Sequence, residues 1–370
     1  MNRLVVVGGG VLGTMHAVEA IARGWEVVHL EQDDSPRGAS VRNFGLIWVS
    51  GRAPGRELDL ALLARRRWEE VARDFPGTGF RAVTSLTVVR SPEELAVLEA
   101  VVARHDAWAR GLRLLEPSEA RQVNPALCGG ESFLAALHCR ADAVVEPRQV
   151  LGALRAGCEA SGRYRWLPGH EVVGVGEHRV TDASGGHHGG DLVVLCPGAA
   201  HGGLAGEVLR RAPLRRVRLQ MLETAPFATT VTTALADGDS LRYYPGFDVP
   251  ARAALPPQDP VAASWSAQLL VVQRAGGALT LGDTHSSAEP FPFDVDEQPY
   301  RHLCGVATGL LGEGLPPIVR RWAGVYSQVV DPSGTVPYFR ADLDPGVEVV
   351  TGPGGRGMTM APAIARETFG

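Results

Sequence analysis

The chain has 370 residues, 45 % of them hydrophobic and 21 % charged, with a formal net charge of −5. That length predicts two domains, or one domain with a large insert. The acidic balance excludes a basic surface for nucleic acid, and no apolar run approaches the roughly 18 residues of a membrane span.

In chain order, "LVVV" at 4–7 reads as a short buried strand leading into glycines, with no signal-peptide cleavage pattern. Helical spacing follows from Val11 to Arg23 and ends at Gly24, and "WEVVHLE" at 25–31 is a second buried strand. In this βαβ unit Gly8, Gly10 and Gly13 form G-x-G-x-x-G, and Glu31 closes the second strand. The glycines admit a pyrophosphate to the helix N-terminus, and the acid accepts from ribose hydroxyls, which favours FAD or NAD over NADP.

"GASVRNFGLIWVSGR" at 38–52 is too interrupted for a helix and too apolar for a solvated loop. An amphipathic helix is predicted at 57–75 and a strand at 81–90. "SPEELAVLEAVVARHDAWARG" then opens a helix, with Ser91 as N-cap, Pro92 at the first position and Glu94 three residues after the cap. A short helix is expected at 116–127, a strand, loop and helix from 133 to 162, and strands in "HEVVGV", "HRVTD" and "DLVVLC".

From 213 onward "PLRRVRLQMLET", "LRYYPGF" and "AQLLVVQRAGGALTLGDTHS" alternate like antiparallel strands. The proline-rich stretch near 249–260 reads as a surface loop, and "YRHLCGVATGLLG" as a helix. "VRRWAGVYSQVVDPSGTVPYF" reads as a strand and hairpin, and the last segment as strand, glycine loop and helix. The fold class is α/β, a Rossmann-like domain interleaved with an α+β domain on a mostly antiparallel sheet. The expected division is 1–78, 140–210 and 318–370 for the first domain, and 79–139 and 211–317 for the second.

Cys128, Cys139, Cys158, Cys196 and Cys304 are scattered and odd in number, so free thiols in a reducing cytoplasm are expected, with no disulfide framework and no metal. "GGHHGG" at 185–190 reads as an exposed turn. Every basic residue is arginine, so no lysine can serve as base, Schiff-base former or point charge beside a cofactor.

The glycine motif with Glu31, "EPSEARQVNPAL", "ADAVVEPRQVLGAL", "LVVLCPGAA" and "GPGGRGMTMAPAIA", in this order, resemble the FAD-dependent amine oxidoreductases related to D-amino-acid oxidase, glycine oxidase and sarcosine oxidase. Within that family "SVRNFGLIW" is similar to a subgroup linked to aminophosphonate catabolism. The resemblance implies FAD lying between the two domains. It carries cofactor contact to Gly8, Gly10, Val11, Leu12, Gly13, Glu31 and Gln32 at the ADP end. Ser40, Arg42 and Asn43 fall near the pyrophosphate, with Arg42 open between cofactor and substrate, and Gly45, Leu46 and Ile47 pass as backbone beside the isoalloxazine ring. Val173 meets adenine through its backbone, Cys196, Gly198 and Ala199 form the turn after a strand, and Gly354, Gly355, Arg356, Gly357, Met358 and Thr359 form the C-terminal loop. There, N–H groups at a helix start face the end of the flavin that becomes negative on reduction.

The resemblance also implies hydride transfer from a small amine to flavin, imine hydrolysis, and reoxidation by O2 to give H2O2. It assigns catalytic positions to His285, Tyr326 and Arg356, and substrate contact to Trp48, Arg52, Arg242, Tyr243 and Tyr244. Tyr243 and Tyr244 alternate on the expected strand, so one of them should face the pocket. Amino-acid oxidases of the group often carry a carboxylate-binding arginine where this chain has Tyr326, and sarcosine oxidases a lysine that this chain lacks. An anionic head such as a phosphonate suits the nominated arginines. Three other readings stand beside this one. They are a biosynthetic amino- or imino-acid oxidase or dehydrogenase with a larger substrate, a non-catalytic FAD subunit of a dehydrogenase complex, and an NAD-dependent dehydrogenase.

Overall fold

The computed structural model describes residues 1–331 and 336–370. Its first sheet has six strands, in the order Phe339–Asp344, Val347–Thr351, Leu192–Leu195, Arg3–Val7, Glu26–Leu30 and Tyr164–Leu167. All neighbours run parallel except the antiparallel pair Phe339–Asp344 and Val347–Thr351. The helix Val11–Ala22 is buried along nearly its whole surface because it is sandwiched between this sheet and the helices Val150–Glu159 and Gly357–Thr368. A small antiparallel sheet, Val172–Gly176, Arg179–Asp182 and His187–Gly189, flanks it. The "GGHHGG" stretch therefore contributes a strand where a turn is expected; His188 Nε2 lies 2.7 Å from Asp182 Oδ2.

The second sheet has eight strands, led by the long pair Ile318–Val329 and Leu214–Pro226. Ala278–Gly282, Leu270–Gln273, Ala234–Ala236, Ser85–Val89, Ala135–Cys139 and Leu112–Leu115 follow. Every pairing is antiparallel except Ala234–Ala236 with Ser85–Val89. This is the expected fold class: a Rossmann-like layer interleaved with a mostly antiparallel sheet. Residues 318–329, grouped above with the first domain, run in the second sheet.

Several local expectations give way. "LRYYPGF" forms a helical turn, Ser240–Tyr243, followed by the 3-10 turn Pro245–Phe247. A Cβ at Gly246 would lie 2.6 Å from the backbone of Gly51, so the segment coils to press on that neighbour. The strand expected at 81–90 shortens to Ser85–Val89, with Arg81 making an isolated bridge to Val144. The helix opened by Ser91 ends at Val102, and its chain turns through Gly111 at φ 61°. The capping box predicted there is present: Glu94 N–H donates to Ser91 Oγ at 3.1 Å and Ser91 N–H to Glu94 Oε2 at 3.1 Å. The proline-rich stretch holds two short helical turns, Pro250–Ala254 and Pro260–Trp265. Ile318–Val329 and Phe339–Asp344 lie in different sheets and are not paired as a hairpin; residues 332–335, within the expected hairpin, lie outside the described residues.

Two histidines are fully enclosed beside the helix Val11–Ala22. His16 Nδ1 donates to Leu12 O at 2.7 Å, and His29 Nε2 donates to Gly8 O at 3.0 Å while its Nδ1 accepts from the Tyr164 hydroxyl at 2.9 Å. Burial pushes their pKa values down from 6.5, to about 4 for His16 and about 3 for His29. The unfolded chain therefore takes up these protons first as pH falls. Their contribution is full above about pH 6.5 and is lost on descent toward pH 4. Two such groups should cost on the order of 2–3 kcal/mol between pH 7.5 and 5.5. Urea midpoints at the two pH values check this; an unchanged midpoint would contradict it.

Candidate active site

A cavity of about 750 Å³ opens between the two sheets. One wall is the glycine loop. Gly8, at φ +106°, could not carry a Cβ, which would sit 2.4 Å from Cys196 O, and a Cβ at Gly10 would reach to 3.1 Å of Ser40 Oγ. Gly8, Gly10, Val11 and Leu12 line the cavity, and Ser40 Oγ accepts from Val11 N–H at 2.9 Å at the helix start. Glu31 and Gln32 line it too; Glu31 takes Gly9 N–H at 2.7 Å and Asp33 N–H at 3.1 Å, so its carboxylate also shapes the loop. Cys196, Gly198 and Ala199 complete this side. The glycine-only approach to a helix N-terminus beside a buried acid fits the ADP half of a dinucleotide.

Other expected cofactor residues stand behind the wall. Gly13 faces Gly8, where its Cβ would meet the carbonyl oxygen at 2.0 Å, and this closeness seats the helix on the strand. Gly45, at φ +67°, turns toward Val145, whose carbonyl would lie 2.1 Å from a Cβ, and Ile47 is wholly in the core. Of the three expected ring neighbours, only Leu46 lines the cavity. Val173 is 54 % exposed, and its strand neighbour Val172 lines the cavity. Thr359 is a brace: its Oγ1 accepts from Trp48 N–H at 2.9 Å. Gly354, Gly355, Arg356, Gly357 and Met358 do line the cavity, at the start of the helix Gly357–Thr368.

Arg42 and Asn43 line the cavity, but their side chains are engaged with backbone. Arg42 Nη1 donates to Ala323 O at 2.9 Å, and Trp322 Nε1 donates back to Arg42 O at 3.2 Å, clasping the 38–52 segment to the second sheet. Asn43 Nδ2 donates to Ala39 O and Ser40 O, both at 2.9 Å, and its Oδ1 accepts from Gly45 N–H at 2.6 Å.

The remaining nominated residues all line the cavity: Trp48, Arg52, Arg242, Tyr243, Tyr244, His285, Tyr326 and Arg356. Because 240–247 is coiled, Tyr243 and Tyr244 both face it, against the expectation of one. Tyr243 stacks on His285 with ring centres 3.9 Å apart, its hydroxyl lies 3.3 Å from that of Tyr326, and Tyr244 tilts against Trp48 at 5.7 Å. Burial pushes the Tyr243 phenol up to about 12 and those of Tyr244 and Tyr326 well above the usual value, so all three stay neutral. Arg242 is held by Asp239 at 3.3 Å and by Pro256 O.

Two acids escaped the sequence reading. Glu57, buried, bridges Arg52 at 3.4 Å and Arg356 at 3.1 Å, joining residues far apart in the chain. Asp283, also buried and cavity-lining, lies 3.5 Å from His285 Nε2. Glu57 leaves no spacing signal. Asp283 does, since an acid two residues before a nominated histidine on an extended segment shares its side. Among the described residues, Trp48 Nε1, Arg52 Nε and Asp283 Oδ1 are buried with no hydrogen-bond partner. All three belong to side chains that line the cavity, and buried polar atoms left so call for an explanation.

An opine oxidase subunit from Agrobacterium tumefaciens (strain Ach5) is 27 % identical over 243 residues, 62 % of this chain and 64 % of that protein. The mouse (Mus musculus) mitochondrial pyruvate dehydrogenase phosphatase regulatory subunit is 22 % identical over 250 residues, 65 % of this chain and 28 % of that protein. The chain thus spans less than two thirds of the length of either curated relative. The crystal structure of glycine oxidase from Geobacillus kaustophilus superposes with a TM-score of 0.77, at 19 % identity, covering 100 % of this chain and 94 % of that one, which shows the fold. A family model described as "DAO: FAD dependent oxidoreductase" matches residues 3–369, so the chain belongs to the DAO family of FAD-dependent oxidoreductases.

Proposed function

We propose that the protein oxidises a C–N bond of a small amine bearing an anionic head, phosphonate foremost, with O2 as electron acceptor. Bound FAD supplies the two-electron acceptor for that bond. One observation carries the anionic head: two arginines, Arg52 and Arg356, line the cavity together, and Arg52 keeps a buried Nε without a partner. Glu57 sets one carboxylate against the two guanidiniums of Arg52 and Arg356, which leaves a positive balance. The Arg52 guanidinium also lies 5.4 Å from the Tyr244 ring centre, which fixes its plane. A tetrahedral head with three acceptor oxygens can use these donors together. Tyr243, Tyr244 and Tyr326 supply neutral, water-excluding surface around the remainder of the substrate.

The test is an anaerobic titration of the purified flavoprotein with amines sorted by head group, read by flavin bleaching. Anionic-head amines should bleach it, and peroxide should form when air returns. Ready reduction by neutral secondary amines, with no aminophosphonate competing, would sink the reading. Arg52→Met should weaken binding of anionic amines by about 100-fold, the loss of a charge-assisted bond or two, while neutral amines change little.

A second reading has a specific support: the two curated relatives described above are named as subunits. On it, the chain holds FAD but turns over only when a partner is added. Bleaching of the isolated protein by any amine would exclude this.

A further inference from the structure

Asp283 sits where a base would be useful and where nothing in the fold uses it fully. It is 6 % exposed, lines the cavity, and keeps Oδ1 without a partner. Its other oxygen, Oδ2, faces His285 Nε2 at 3.5 Å. The tautomer of His285 follows from its second nitrogen, which lies 3.1 Å from Ser266 O. A carbonyl oxygen only accepts, so Nδ1 carries a hydrogen and donates. An imidazole carrying only that hydrogen would turn the lone pair of Nε2 toward Asp283 Oδ2, setting two acceptors face to face. A proton between Oδ2 and Nε2, on either atom, makes one of them the donor.

The surrounding groups leave the role to this pair. From the helical turn 240–243 and the residue after it come Tyr243 and Tyr244, and from the strand Ile318–Val329 comes Tyr326; all three phenols are neutral. The charges next in range, Arg52 and Arg356, are paired with Glu57 and are not bases. Burial pushes the Asp283 carboxyl upward, so a proton there is held more firmly than on an exposed carboxylate.

We propose that Asp283, acting with His285, takes the proton from the substrate's ammonium group and so delivers the amine as its free base. This rests on the amine reading above. The N–H bond breaks, its electron pair stays on nitrogen, and an O–H bond forms at Asp283 Oδ1, leaving the carboxyl neutral beside His285. No electrons change hands in this step. In bulk water the transfer from an alkylammonium to a carboxylate runs uphill. In a closed site it replaces two buried charges by two neutral groups, and desolvation favours it.

The test compares wild-type, Asp283→Asn and Asp283→Glu holoenzymes. The probe is whichever anionic-head amine bleaches the wild-type flavin fastest, and the readout is the first-order reduction rate across pH. Near neutral pH the Asn variant should be slower by about 100-fold or more. Its rate should then climb about tenfold per pH unit, as the free-base fraction of the substrate itself rises, and approach the wild-type rate at high pH. The Glu variant should keep the shallow wild-type slope near neutrality. A purely structural role would lower the Asn rate equally at every pH, and that uniform loss would overturn the assignment, as would an Asn profile identical to wild type. Should the Asn protein fail to retain flavin, the Glu profile decides: a tenfold-per-unit climb in it overturns the assignment, and a shallow slope supports it. If no amine bleaches the wild-type flavin, the amine reading and this assignment both fall. If the wild type is bleached and the profiles do not diverge, only the assignment falls.

Discussion

Gly13→Ala is expected to give a protein that does not retain FAD. The added Cβ would stand 2.0 Å from Gly8 O and 2.9 Å from Val6 Cγ1. The nearer obstacle is backbone, so no rotamer change relieves it. Either the helix Val11–Ala22 lifts from the strand Arg3–Val7, or the Gly8 loop is driven out of place. His29 grips that loop from below through Gly8 O, and Glu31 grips it through Gly9 N–H, so displacement would also strand buried polar groups. Gly24→Ala is the control. Gly24 has φ +81°, but a Cβ added there would meet nothing within 4 Å, so the change should cost only about 1 kcal/mol and leave the flavin bound. Visible flavin absorbance per protein after gel filtration separates the two, with circular dichroism reporting the fold. A yellow Gly13→Ala protein with full flavin content would contradict the packing account.

Asp142→Ala should be the most destabilising change outside the glycine loop. Asp142 is wholly buried. Its Oδ1 accepts from Val49 N–H at 2.5 Å and Ser50 N–H at 3.1 Å, and its Oδ2 accepts from Ser50 Oγ at 2.7 Å and Ser85 Oγ at 2.6 Å. Alanine would leave these donors enclosed without acceptors, a loss of about 3–5 kcal/mol. The segment they hold carries Trp48 and Arg52 into the cavity, so anionic-ligand affinity should fall with stability. Urea denaturation gives the first effect and titration of the folded fraction the second. A midpoint within error of wild type would show that water or a backbone shift replaces the carboxylate.

Much of the fold was legible because its signals are local. The glycine spacing, the acid at the end of the second strand and the Ser91–Glu94 capping box each operate within a few residues or one βαβ unit, and each is present. "LRYYPGF" misled because alternation describes the segment alone, whereas its coil is set by close packing on Gly51. The same limit hid Glu57 and Asp142, whose partners are Arg356 and residues near 49 and 85. Gly45 and Ile47 were placed against a cofactor on resemblance. Gly45 is glycine because Val145 O presses on it, and Ile47 is apolar because it belongs to the core. Arg42 lines the cavity with one guanidinium nitrogen bonded to Ala323 O, a contact from a distant strand that no local pattern carries.

The interleaving of the two sheets has a consequence for handling the molecule. Strands of the six-stranded sheet come from as early as Arg3 and as late as Thr351, and the eight-stranded sheet draws on Leu112–Leu115 and Ile318–Val329 with strands of the other sheet between them. No contiguous fragment therefore contains one sheet free of the other. A protease nick in an exposed loop would leave pieces held together through shared ladders and core. Neither half can be cut out and grafted into another protein as a portable module, and exchange between homologues would have to swap several separate segments at once.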